Sequence, residues 1–233
     1  MQPNCYLSRD TRIEDDIKVN RPCGPFTDRI TFKATLVGSS GVGKTTLQHR
    51  ICGTPIDHMT SSTIGAVFYQ VPLQVDQKTL NINLWDTGGQ EKLNIFNLLP
   101  FYFRGSDFIF LVFDLFDRQS FMDLSKWLDN ANRAESSRRI PPNTIVVGNK
   151  LDLERKKKRL VSLDEAQSFA FKRGFQYIET SALENENCEL IKELVIHHIK
   201  KTIKKEQDDL IIKENKEKEK EKEKEKGKEQ NNK

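Results

Sequence analysis

A glycine-rich segment with the residue types of a phosphate site lies early in the chain. Residues Gly38–Thr45 read Gly-Ser-Ser-Gly-Val-Gly-Lys-Thr and directly follow the apolar run Ile30–Val37. Between a strand and a helix, glycines let backbone N–H groups point inward, and the helix adds the positive end of its dipole. Lys44 would reach the terminal phosphates, and the Thr45 hydroxyl would hold Mg²⁺. The pattern predicts a nucleoside triphosphate site, and the plainer alternative is a glycine turn. The residues predicted to contact the nucleotide here are Ser39, Ser40, Gly41, Val42, Gly43, Lys44, Thr45 and Thr46.

A second polar segment, Asp-Thr-Gly-Gly-Gln at residues 86–90, follows the predicted strand residues Asn81–Trp85. Ligands of open α/β sheets collect at the carboxyl ends of the strands, where the Asp86 carboxylate would emerge. Asp86 would orient Mg²⁺ through water, Gly89 would allow close approach to the terminal phosphate, and Gln90 would position the attacking water. Alone, an aspartate after a strand is usually a turn or cap residue. The upstream phosphate segment favours the functional interpretation.

A third segment, Asn149, Lys150, Leu151 and Asp152, follows the apolar run Thr144–Gly148. A carboxylate at Asp152 would accept hydrogen bonds from N1–H and the exocyclic amine of guanine. Adenine lacks both donors in that geometry and would leave the carboxylate unpaired. Asparagine and aspartate are also common turn residues, and an ATPase would require Asp152 to be such a residue. After the last strand, the backbone N–H groups of Thr180, Ser181 and Ala182 would complete the base pocket. The predicted nucleotide contacts there are Ser181, Ala182 and Leu183.

The charge and cysteine content exclude several functions. The formal net charge is +4, but Lys200 onward contains 13 lysines and 10 acidic residues, so the rest has 25 basic and 24 acidic residues. A nearly neutral globule gives no electrostatic case for nucleic-acid binding, and the basic run Arg155–Arg159 is expected to be a solvated loop. The four cysteines have no paired spacing for zinc or redox chemistry, which favours reduced thiols in the cytosol. They are Cys5, Cys23, Cys52 and Cys188.

Strand and helix patterns alternate through the middle of the chain, which predicts a mostly parallel sheet with helices on both faces. The first hairpin is the exception, and Pro72 predicts that its first strand lies at the sheet edge. The predicted strands are Ile30–Val37, Ala66–Val75, Thr79–Trp85, Phe108–Phe113, Thr144–Gly148 and Gln176–Glu179. The predicted helices are Lys44–Cys52, Gln119–Asn132, Leu163–Arg173 and Glu189–Lys205. We expect a poorly ordered arm at residues 1–29, one domain at 30–205 and a disordered Lys/Glu tail at 206–233.

These segments, in this order and spacing, resemble the Ras superfamily of small GTPases, and its Rab branch most closely, over residues 32–200. Residues 61–65 look like the first switch, and residues 85–91 look like the second. The resemblance implies a single three-layer P-loop GTPase domain with a six-stranded, mostly parallel sheet and one antiparallel edge strand. It also implies a cycle of GTP binding, slow hydrolysis to GDP and exchange. Lys44 and Gln90 would be catalytic, while Thr45 and Thr63 would ligate Mg²⁺.

The resemblance further implies protein partners: an exchange factor, an activating protein and effectors. An activating partner is expected because the sequence offers no arginine candidate supplied in cis. The aromatic side chains among the proposed effector contacts have a plainer interpretation as ordinary core or sheet-face residues. The residues that would face effectors are Ile64, Gly65, Phe68, Trp85 and Tyr102. A monomer is expected.

Two positions depart from the family pattern near the predicted base. Ile56 stands where an aromatic ring usually stacks on guanine, and Leu183 replaces a lysine that usually lies along the base. Because an aliphatic contact would hold the base less well, we expect faster spontaneous nucleotide release. These departures leave an alternative function open: a nucleotide-bound interaction module that has lost switching or membrane anchoring. The retained Lys44, Thr63 and Gln90 favour the GTP-hydrolysing switch.

The C-terminal sequence departs most from the family. Rab proteins usually end in cysteines that carry lipid chains, whereas the last cysteine here is Cys188 and the tail contains a Lys/Glu repeat at Lys216–Lys226. We expect no standard prenylation and weak attachment to anionic membranes, because the charges of the repeat nearly balance. The expected location is the cytoplasm, with transient contact with the cytosolic faces of endomembranes. By resemblance, the expected process is vesicle trafficking.

Overall fold

A six-stranded sheet forms the centre of the molecule. The computed structural model describes residues 30–56, 66–87, 103–134 and 143–231, so the predicted arm at residues 1–29 lies outside them. The sheet order is β2-β3-β1-β4-β5-β6. The strands are β1 Thr31–Val37, β2 Ala66–Val75, β3 Lys78–Thr87, β4 Phe108–Asp114, β5 Asn143–Asn149 and β6 Gln176–Glu179. All neighbours pair in parallel except β2 and β3, which form the antiparallel hairpin, so the predicted fold class is confirmed.

The hairpin strand β2 lies at the edge of the sheet, as Pro72 predicts. On an edge strand, a residue without an N–H does not interrupt a central ladder. The central strands β4 and β5 are buried at every residue, because helices cover both faces of the sheet there. Their carboxyl ends, with those of β1 and β3, form the edge that positions the predicted site.

The helices divide between the two faces of the sheet. They are α1 Lys44–Cys52, α2 Arg118–Met122, α3 Leu124–Ala134, α4 Leu163–Phe171 and α5 Cys188–Asn231, with a 3₁₀ helix at Leu151–Arg155. Residues of α1 and α5 join one core cluster, and residues of α2, α3 and α4 join the other. The single helix predicted at Gln119–Asn132 is therefore two helices that meet at Asp123. The Asp123 carboxylate accepts hydrogen bonds from Gln119 and Lys126, which fixes this junction.

The last helix is much longer than the sequence predicted. α5 continues past the predicted end at Lys205, through the Lys/Glu repeat to Asn231. Lysine and glutamate are both strong helix formers. In an alternating repeat, residues three apart also carry opposite charges, which stabilises a helix. These terms outweigh the like charges four residues apart.

Two features of the described chain bear on membrane attachment. Within residues 30–56, 66–87, 103–134 and 143–231, no helix is both long enough and apolar enough to cross a bilayer. Cys188, the first residue of α5, is 1% exposed, and burial raises the pKa of its thiol to about 11. This thiol is therefore a packed core group.

Candidate nucleotide site

The glycine-rich loop connects β1 to α1 at the carboxyl edge of the sheet. Gly41 and Gly43 have φ angles of +79° and +94°, which favour glycine over residues with a Cβ. A Cβ at Gly43 would lie 2.4 Å from Nδ2 of Asn149, whereas one at Gly41 would have no neighbour within 4 Å. Ser40 is exposed, and Thr46 is half-buried at the start of α1. The loop therefore needs glycine at position 43 for close packing as well as for backbone conformation.

Lys44 extends its side chain back over this loop. Its ammonium group donates hydrogen bonds to the carbonyl oxygens of Gly38 and Ser39, at 2.7 and 2.9 Å. The residue is 5% exposed, so its positive charge lies within the segment that was predicted to hold phosphates. A buried positive charge makes an anionic ligand favourable at the same place.

Thr45, a predicted Mg²⁺ ligand, and Asp86, which was predicted to orient the ion through water, are in direct contact. The Thr45 hydroxyl donates a hydrogen bond of 2.6 Å to Oδ2 of Asp86, which is fully buried. Asp86 lies within β3 and not after it, because the strand continues to Thr87, whose hydroxyl donates to the Leu36 carbonyl at 2.7 Å. A hydroxyl and a carboxylate are the hard oxygen donors that Mg²⁺ prefers, so this pair fits the ion.

Asn149 joins the phosphate loop to the predicted base pocket. Its Nδ2 donates to the Val42 carbonyl at 2.8 Å. Its Oδ1 accepts from the Thr180 hydroxyl at 3.1 Å and from the Ala182 backbone N–H at 3.0 Å. The residue is 2% exposed and is the last residue of β5. Both polar atoms of this side chain hold protein segments together, so Asn149 fixes the spacing between the two halves of the site.

The remaining residues of the third segment lie beside Ser181. Asp152 belongs to the 3₁₀ helix, and its Oδ1 accepts a hydrogen bond of 2.6 Å from the Ser181 hydroxyl, which also accepts from the Glu184 backbone N–H at 3.0 Å. Lys150 has a left-handed backbone, φ +72°, and its ammonium group pairs with Oδ2 of Asp114 at 2.7 Å. The structure thus brings Asp152, Ser181 and Ala182 together, while Leu183 is 46% exposed at the rim.

Three supporting residues were absent from the prediction. Asp114 is the last residue of the apolar strand β4, at the same sheet edge as Asp86 near the end of β3, so the same pattern would have identified it. Asp123 lies 3.4 Å from the Ser39 hydroxyl, and although burial raises its pKa, hydrogen bonds from Lys126 and Gln119 outweigh that effect and lower the pKa. Arg50 donates to the carbonyls of Ala182 and Leu183 across 132 and 133 residues of sequence. The sequence gives no signal for contacts over such separations.

The predicted switch residues are only partly described. Phe68 and Trp85 face each other across β2 and β3, with ring centroids 5.4 Å apart, and both are half-buried. The Lys33 ammonium lies 5.2 Å from the Trp85 ring centroid. Six predicted residues lie outside the described part of the chain: Thr63, Ile64, Gly65, Gly89, Gln90 and Tyr102.

Comparisons with known proteins place the chain in a family. The Ras family profile matches residues 33–205, which is most of the chain. The GTP-binding protein YPT1 of Saccharomyces cerevisiae is 38% identical over 158 residues, which cover 68% of this chain and 73% of the yeast protein. The matched region includes both halves of the site described above. The chain therefore belongs to the Ras family and is a Rab-type GTPase, a GTP-hydrolysing molecular switch.

Proposed function

We propose that the pocket between the phosphate loop and Asp152 holds the guanine nucleotide of this switch. The observation that carries the proposal is the Asn149 side chain, which contacts the Val42 carbonyl on one side and Thr180 and Ala182 on the other. Because one buried amide joins both segments, a triphosphate cradle and a guanine-selecting carboxylate lie at a fixed spacing. That arrangement suits a guanosine nucleotide bound along the carboxyl edge of the sheet.

In this proposal, the chemical step depends on position and charge. The Lys44 ammonium would exchange its loop carbonyl partners for oxygens of the β- and γ-phosphates and stabilise the charge that develops there. Gln90 would orient the attacking water in line with the leaving group. Both effects act on the transition state more than on bound GTP, so they raise the rate of hydrolysis.

We also propose a Mg²⁺ site formed by the Thr45 hydroxyl, with Asp86 acting through water and Thr63 closing on the ion from the first switch. The 2.6 Å contact between Thr45 and Asp86 supports this assignment, since it brings the hydroxyl ligand next to the carboxylate that would hold a metal-bound water. When bound, Mg²⁺ neutralises charge on the β- and γ-phosphate oxygens.

The partners follow from the cycle. An exchange factor would open the site to release GDP, and an activating protein would accelerate hydrolysis. Effectors would bind the surface that carries Phe68 and Trp85 when the γ-phosphate orders the switches. As a Rab-type switch, the protein takes part in vesicle trafficking, and we propose that it contacts endomembranes peripherally from the cytoplasm.

Replacement of Gln90 by leucine tests the hydrolysis step. Gln90→Leu is expected to slow single-turnover phosphate release by on the order of 10- to 100-fold, because a water misplaced by about 1 Å reacts that much more slowly. GDP affinity should remain within about twofold, since the residue is proposed to act on the γ-phosphate side only. The exposed Gln167→Leu on α4 is the matched control. Equal phosphate release from Gln90→Leu and the wild type would favour a non-switching interaction module.

Ile56→Phe tests the expectation of fast nucleotide release. A phenyl ring stacked on guanine adds about 0.5–1.5 kcal/mol beyond area burial, so GDP release measured by stopped-flow fluorescence should slow by about 2- to 12-fold. Ile211→Phe, on the exposed surface of α5, serves as the control. Unchanged release from Ile56→Phe would mean that position 56 does not cover the base.

A further inference from the structure

We infer that Arg50 is a positioning residue for guanine recognition, acting on the base loop from the helix that begins in the phosphate loop. This inference rests on the proposed nucleotide pocket. Arg50 is on the last turn of α1, half-buried, and its Nε and Nη2 donate to the carbonyl oxygens of Ala182 and Leu183 at 2.8 and 2.5 Å. One rigid guanidinium therefore holds two consecutive peptide groups of loop 181–183.

The two contacts fix a part of the loop that lies beyond its attachments to the sheet. Ser181 is held by Asp152, and the Ala182 N–H is held by Asn149. The carbonyls on the next two peptide planes point to α1 and are held by Arg50. Peptide groups are planar, so fixing a carbonyl also fixes the direction of the N–H in the same plane. Arg50 thereby sets the direction of the Leu183 N–H, and it supports the direction of the Glu184 N–H, which donates to the Ser181 hydroxyl oxygen.

The surroundings of Arg50 make this contact specific to its charge and shape. Cys188, the first residue of α5, lies close to the Arg50 guanidinium. Burial raises the pKa of the Cys188 thiol, and the positive charge of Arg50 acts to lower it. Cys188 belongs to the core and contacts the Ser181 carbonyl at 3.5 Å. The guanidinium thus lies where α1, α5 and the base loop meet. Its planar fork gives each carbonyl its own nitrogen donor, which the single ammonium nitrogen of a lysine does not.

The chemistry of guanine identifies the atom that the loop would recognise. In the proposed pocket, Asp152 takes N1–H and the 2-amino group. The neighbouring atom on that edge of the ring is the 6-oxo oxygen, which is an acceptor. The Ser181 N–H donates to the Glu186 carbonyl and the Ala182 N–H donates to Asn149, so the donor of this loop that would match that acceptor is the Leu183 N–H. We therefore expect Arg50 to influence binding mainly through the 6-oxo group and not through the phosphates.

The test compares two nucleotides on the full chain. Arg50→Ala should raise the rate of GDP release by about 10-fold, because charge-assisted hydrogen bonds that fix the loop are lost. With 6-thioguanosine diphosphate, which keeps both donors to Asp152 but carries a weakly accepting sulfur, the same substitution should change release by less than about threefold. Arg50→Lys should give an intermediate rate with GDP.

The controls separate positioning from general stability. Arg173→Ala removes a guanidinium that also donates to a backbone carbonyl, that of Phe169, on the opposite face of the sheet, and it should leave GDP release unchanged. Equal acceleration for GDP and the 6-thio analogue, or wild-type release rates from Arg50→Ala, would overturn the inference. If Arg50→Ala does not fold, the Arg50→Lys comparison between the two nucleotides decides. Failure of the wild type to prefer GDP over ADP would instead contradict the proposed pocket.

Discussion

Gly43→Ala is expected to weaken GDP binding by about 10²- to 10³-fold, because the free-energy cost of backbone strain adds to that of a broken buried hydrogen bond. The φ angle of Gly43 is +94°, and a Cβ there would lie 2.4 Å from Nδ2 of Asn149. The Asn149 side-chain amide cannot move aside freely, since it is hydrogen-bonded to Val42, Thr180 and Ala182. Displacing it separates the phosphate loop from the base loop, so both halves of the nucleotide lose contacts. Isothermal titration with GDP measures the loss.

Substitutions at two further glycines separate the effect of the contact with Asn149 from the effect of left-handed backbone strain. Gly41 and Gly174 have φ angles of +79° and +70°, and a Cβ on either would meet nothing within 4 Å. Gly174→Ala should lower stability by about 1–2 kcal/mol without changing GDP affinity, since it incurs only the left-handed backbone cost. Gly41→Ala incurs the same cost inside the phosphate loop. If Gly43→Ala bound GDP as tightly as Gly41→Ala, the contact with Asn149 would not hold the site together.

The sheet and the phosphate loop follow from local sequence. Buried strands such as Phe108–Asp114 are apolar up to their last residue, and strand patterns alternate with helix patterns along the chain, so the element order and the parallel arrangement were predictable. Pro72 gave the edge position because proline excludes a central strand. The end of α5 was not predictable from charge spacing alone, since helix propensity and pair energies of similar size oppose each other there.

The sequence indicated which residues lie near the candidate site better than it indicated what each side chain contacts there. Asn149 was expected to contact the nucleotide, yet both polar atoms of its side chain bond to protein groups. A sequence motif gives the residue type at a position but not which partner its side chain selects. Arg50 and Ala182 are in contact across 132 residues, and that contact depends on how α1 packs beside α5. Such contacts arise only when the separate elements assemble.

Asp152→Asn is expected to reduce GDP affinity by on the order of 10⁴-fold, because a site built to accept two hydrogen bonds then presents a donor to them. One carboxylate oxygen already accepts from the Ser181 hydroxyl at 2.6 Å, and the asparagine carbonyl can keep that bond. The amide NH₂ then replaces the second oxygen, which is proposed to face N1–H and the 2-amino group. The fold should therefore survive while base selection changes.

The change should be a switch in preference and not a simple loss. Xanthine carries a carbonyl where guanine carries the 2-amino group, so the new NH₂ donor should make xanthosine diphosphate bind more tightly to Asp152→Asn than GDP does. Glu154→Gln neutralises an exposed carboxylate in the same 3₁₀ helix and is the matched control, with wild-type GDP affinity expected. Competition titrations with GDP, ADP and xanthosine diphosphate measure the nucleotide affinities of the wild type, Asp152→Asn and Glu154→Gln. Since only a carboxylate in direct contact with the base can reverse the order of two purines, an unchanged order in Asp152→Asn would place Asp152 outside the pocket.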